Sequence, residues 1–95
     1  MQMLAEVLLE AEDLTLRFPD LMLEASRAAY ESAQPREAAT ITVYALALYQ
    51  IGALDRAIDI QREAMDAAQG DEERKRAKSL YDFYNLCKQL QSSAQ

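Results

Sequence analysis

Residues Ala38 to Ala68 read AATITVYALALYQIGALDRAIDIQREAMDAA, and this stretch decides the fold. Ile41, Ala45 and Leu48 recur at three- and four-residue spacing and stop at Gly52, a residue free to take the positive φ that a helix end often requires. Beyond it, Leu54, Ala57, Ile58, Gln61, Ala64, Met65 and Ala68 keep the same period. Asp55, Arg56, Asp59, Arg62, Glu63 and Asp66 take the opposite face. Two helices folded back on each other at Gly52 are expected, with small residues at the crossing.

Working outward, the strongest helix punctuators are Pro19, Pro35, Gly52 and Gly70, spaced by sixteen, seventeen and eighteen residues. A helical hairpin on that rhythm repeats about every 34 residues. Five helices are therefore expected, over about residues 3–16, 20–33, 36–51, 54–68 and 72–90, in one domain covering 1–95. The first puts Leu4, Val7, Leu8, Ala11 and Leu14 on one side and Glu6, Glu10 and Asp13 on the other, and ends at Arg17-Phe18-Pro19. Pro19 or Asp20 opens the second, whose inner stripe is read as Leu21, Met22, Ala25, Ala28 and Ala29. Gly70 and Asp71, the latter as N-cap, introduce the fifth. There Ala77, Leu80, Phe83, Cys87 and Leu90 step along one seam, flanked by Tyr81, Tyr84 and Leu86.

The order Ala45, Leu48, Tyr49, Gly52, Leu54, Ala57, Ile58, Ala64, Met65 resembles the tetratricopeptide (TPR) repeat, in which small residues let two helices cross closely while large ones fill the notch. Gln61 stands where that pattern has a bulky or aromatic residue, and Gln69 where it has proline. The resemblance implies an all-α, right-handed antiparallel solenoid of two hairpins and a capping helix. It also implies a non-catalytic scaffold that binds a peptide or helix in a concave groove. Carried onto this chain, the groove positions are Ala39, Thr42, Leu46, Tyr49 and Gln50. Thr42 and Leu46 fill positions where some family members clamp a C-terminal carboxylate with Asn and Lys, so an apolar or helical ligand suits this chain better. The rival reading of Leu46 and Tyr49 is packing against neighbouring helices.

Composition narrows the function classes. The chain has 95 residues, 27% of them charged and 51% apolar, which is a helical globular composition. A formal charge of -6 argues against a nucleic-acid partner, because phosphate binding draws on a surplus of Lys and Arg. Histidine is absent, which removes the usual general base and the commonest metal ligand. Two glycines eighteen residues apart make no phosphate-cradling loop. No catalytic residue, cofactor or metal is expected. The acidic clusters Glu10, Glu12, Asp13 and Asp71, Glu72, Glu73 lack the alternating ligands of a calcium loop. The basic run Arg74, Lys75, Arg76, Lys78 is read as a solvated face, paired with acids a turn away.

Cys87 is read as a seam cysteine, with a nucleophilic role the alternative. The uncharged run Ala38 to Leu54 is broken by Thr40, Thr42, Tyr44, Tyr49, Gln50 and Gly52, so a central buried helix is expected rather than a membrane span. The acidic start MQMLAEVLLEAED lacks the basic region of a secretory signal. Two further readings stand beside the peptide-binding one. Fewer than three repeats bury little core, which favours completion by a second copy in a homo-oligomer. The chain also suits the role of a C-terminal accessory domain of a larger enzyme or sensor.

Overall fold

The computed structural model describes residues 18–93, and these are all-helical, at 84% helix with no strands. In chain order the helices are α1 (Pro19–Ser32), α2 (Ala38–Gln50), α3 (Leu54–Ala67) and α4 (Asp71–Ser93). The first of the five expected helices, about residues 3–16, lies outside the described residues, as does the acidic group Glu10, Glu12, Asp13. Each helix packs on the next, and α2 also reaches α4.

α2 is the centre of the molecule. Eight of its thirteen residues are buried, among them Ile41, Tyr44, Ala45 and Leu48. A helix with no charged side chain can be covered on several sides at little desolvation cost, and this one is. Its partners in the core are Leu54, Ala57, Ile58, Ile60 and Ala64 of α3, with Ala77 and Tyr84 of α4. Ala45, Ala57 and Ala64 show no exposed surface, as expected of residues that let helices approach closely. No helix among the described residues is long and apolar enough to cross a membrane.

The hinge at Gly52 forms as the sequence requires. Gly52 has φ +89°. Its N–H donates to the Tyr49 carbonyl at 3.1 Å and the Ala53 N–H to the Leu48 carbonyl at 2.9 Å. This is the paired arrangement that satisfies the last free carbonyls of a helix around a left-handed residue. Gly70, with φ +101°, performs the second reversal. Asp71 is not the N-cap expected there: it is the first helical residue, and the Gly70 carbonyl accepts from Arg74 N–H. The carboxylate of Glu73 reaches back to the Gln69 N–H at 2.7 Å and satisfies that donor instead.

Two helices turn a different face inward from the one expected. In α1, Leu21 is 61% exposed, and Ala25, Ala28 and Ala29 are exposed with it. The inner side carries Leu23, the buried Ser26 and Tyr30 instead. Tyr30 decides the matter: its ring lies 4.9 Å from that of Tyr44, and its hydroxyl donates to Glu63 of α3. One aromatic ring buries more area than several alanines, so the face that holds it wins. In α4 the innermost residue is Tyr84, fully buried, and not Phe83. Ala77, Leu80, Tyr81, Tyr84 and Cys87 form its packed side, leaving Phe83, Leu86 and Leu90 exposed.

Candidate interaction surface

The C-terminal turn of α2 meets the middle of α4 through aromatic rings. Tyr49 stacks on Tyr84 with centroids 4.9 Å apart and planes at 24°, and meets Phe83 edge-on at 5.7 Å. Such pairs prefer these offset and edge geometries. The Tyr49 hydroxyl lies beside Cys87. Burial, and then its hydrogen bond to the thiol, hold its pKa above the ordinary tyrosine value. Cys87 is half-buried on this seam.

Outward from the aromatic seam, α4 exposes 46% of Phe83, 51% of Leu86 and 61% of Leu90. These three share a face because their spacing of three and then four residues matches the helical period. Lys88, on another side of α4, pairs with Asp55 at the start of α3 at 2.7 Å. That partner raises the lysine pKa, chiefly through the hydrogen bond. The contact joins the start of α3 to the C-terminal part of α4, as antiparallel packing of the two helices requires. A shallow depression of about 250 Å³ beside it is lined by Gly52, Leu54, Asp55, Lys88, Gln91 and Ser92.

The five groove positions taken from the TPR resemblance do not form one open strip. Thr42 and Leu46 are buried, Thr42 completely and Leu46 with 8% of its surface exposed. Ala39, Tyr49 and Gln50 are half-buried. Tyr49 packs against α4, as the rival reading held. The reason lies in α2's central place: a helix covered on several sides has little free face left. Three of the exposed large apolar side chains lie together on α4, while Phe18, Leu21 and Ile51 are exposed elsewhere; the sequence reading puts Phe83 and Leu90 on that helix's seam with Ala77, Leu80 and Cys87. The signal was present in the three-then-four spacing of Phe83, Leu86 and Leu90. It was obscured by a second stripe, through Tyr84 and Cys87, with the same period.

Two other features complete the inventory. An open depression of about 750 Å³ lies beside the link from α1 to α2, lined by Gln34, Pro35, Arg36, Ile41, Glu63 and Asp66 among others. The Arg36 guanidinium sits 4.3 Å from the centre of the Tyr30 ring, an attractive cation–π geometry. In the core, Gln61 is fully buried, and its Nε2 donates to the Ala77 carbonyl at 2.9 Å. Its Oε1 and the Thr42 Oγ1 have no hydrogen-bond partner among the described residues. No group of three or more metal-ligating side chains occurs among the described residues. No family model, curated protein or solved structure matches the chain, so the tetratricopeptide reading rests on its residues alone.

Proposed function

We propose that the protein is a non-catalytic protein-interaction module of TPR-like architecture, a right-handed helical solenoid in which α2 and α4 stand as equivalent helices of successive repeats. One observation carries this reading. Tyr49 and Phe83 lie 34 positions apart in the chain, the TPR period, and their rings are 5.7 Å apart in space. Equivalent helices of neighbouring repeats lie side by side in this way, and their shared face is where such scaffolds dock a ligand. Here that face is apolar, made of Phe83 and Leu86 with the edge of Tyr49 and continued by Leu90. A hydrophobic, aromatic-rich strip fits the apolar side of an amphipathic helix or peptide, read through anchors at helical spacing.

The test is a display selection for short amphipathic helical peptides, followed by fluorescence polarisation with the protein held at low micromolar concentration. Peptides recovered on this face should lose about tenfold or more in affinity in Phe83→Ala and Leu86→Glu, as expected for central anchors. Recovered peptides that bind both variants as tightly as the unmodified chain would rule the face out. A second reading, self-association, is favoured by the same exposed stripe because it is uncharged in an acidic chain.

A further inference from the structure

The occupant of the α4 face can be argued from its charge and spacing. Asp82 is the last acid in the chain, and from Phe83 to Gln95 the only charged side chain is Lys88, already paired with Asp55. A protein of net charge -6 tends to repel its own copies, and this exposed stretch adds no acidic side chain to that repulsion. Ser79, Phe83, Leu86 and Leu90 follow one another at steps of four, three and four. That alternation places them in a single seam of the kind by which two helices interlock.

We propose that α4 is a self-association surface on which the α4 of a second copy lies antiparallel, Phe83 of each copy against Leu86 of the other. This rests on the reading of the α4 face as a docking surface and names what covers it. Antiparallel order follows from charge. Parallel pairing would set the basic run Arg74, Lys75, Arg76, Lys78 beside its own twin, whereas antiparallel pairing in this register sets Lys78 opposite Gln91 and turns the rest of the run toward the far end of the other chain, where the sequence after Lys88 carries no charged side chain. In the same register Leu90 lies over the small Ser79 of the other copy, large against small. The area fixes the strength. Three half-exposed side chains per copy offer roughly a few hundred Å², well under the ~1,200 Å² at which stable interfaces begin. The pair is therefore a concentration-dependent equilibrium and not an obligate dimer.

Sedimentation equilibrium of the full chain from about 10 µM to about 1 mM, the range suited to an interface this small, should show the 10.7 kDa monomer moving toward twice its mass. Leu86→Glu and Leu90→Lys, both at exposed positions, should stay monomeric throughout with unchanged helical circular dichroism. Orientation is read by disulfide trapping in a Cys87→Ser background. An equimolar mixture of Phe83→Cys and Leu86→Cys should oxidise mainly to the mixed dimer. A monomer at 1 mM would overturn self-pairing, as would dimers that survive Leu86→Glu. Preferential trapping of each cysteine variant with itself would overturn the antiparallel arrangement. Peptide binding at low micromolar concentration is measured below the dimer range, so it can hold while self-pairing fails, or fail while self-pairing holds.

Discussion

Replacing Gln61 with methionine should leave the protein as stable as before or make it more stable. Gln61 has no exposed surface, makes one hydrogen bond to the Ala77 carbonyl, and buries an Oε1 with no partner among the described residues. Removing the amide forfeits one neutral hydrogen bond, about 0.5–1.5 kcal/mol net. It also removes a desolvated acceptor whose burial costs about 1–3 kcal/mol. The Ala77 carbonyl sits inside α4, where the helix's own ladder supplies a donor, so little is orphaned in exchange. Methionine has nearly the same length and shape, so no cavity opens. The balance favours Gln61→Met by about 0–2 kcal/mol, a gain of up to several degrees in Tm for a domain of this size. Thermal unfolding by circular dichroism reads it directly. Gln61→Ala is the control, expected to lose about 2–4 kcal/mol because it leaves a void. A Gln61→Met protein destabilised by more than about 1 kcal/mol would refute the reasoning, since Oε1 would then be engaged in a bond that stabilises the fold.

Gly52→Val should lower Tm by several degrees: an added Cβ meets nothing within 4 Å, but φ +89° costs a branched residue about 1–2 kcal/mol, and an unchanged melt would remove the hinge argument. Ala57→Leu forces volume into a site with no exposed surface, so urea unfolding should show a loss of roughly 1–3 kcal/mol. Tyr30 and Tyr49 should make stability fall in alkali. Burial and its bond to Glu63 raise the pKa of Tyr30, and burial raises that of Tyr49. A neutral acid with a raised folded pKa contributes stability that is complete below the unfolded value of about 10 and is lost as pH rises through the folded one. Tyr81 moves the other way, lowered mainly by its hydrogen bond with Arg62. Spectrophotometric titration should therefore resolve an early phase removed in Tyr81→Phe and a late phase accompanied by unfolding. A single unshifted phase would contradict the packing of Tyr30 and Tyr49.

The parts of the fold legible in the sequence are those where one physical requirement points one way. Gly52 and Gly70 both sit at positive φ because the chain must reverse there. The uncharged run before Gly52 reads as a buried central helix, and α2 is that helix. Legibility fails where two faces compete. In α1 a stripe of Leu21, Ala25 and Ala28 looks periodic, yet Leu23 and Tyr30 hold the inner face, and an alanine fits a core and a surface equally well. In α4, Phe83 and Tyr84 are neighbours in sequence on different sides of one helix, and the stacking of Tyr84 on Tyr49 decides which goes in. That contact joins residues 35 positions apart, so no local pattern reveals it. The groove positions Thr42 and Leu46 failed as surface for a related reason. On a helix without charges, nothing in the sequence separates a covered position from a free one.

The central claim is that α2 and α4 stand side by side, so that Tyr49, Phe83 and Leu86 form one apolar docking face. The most direct measurement is a set of proton–proton nuclear Overhauser contacts among selectively labelled aromatic rings of the full chain. The account predicts cross-peaks from Tyr49 to both Tyr84 and Phe83, whose ring centroids lie 4.9 and 5.7 Å away, together with a Tyr30 to Tyr44 contact as the α1–α2 reference. A Tyr30 to Tyr44 peak without any from Tyr49 to α4 would contradict it.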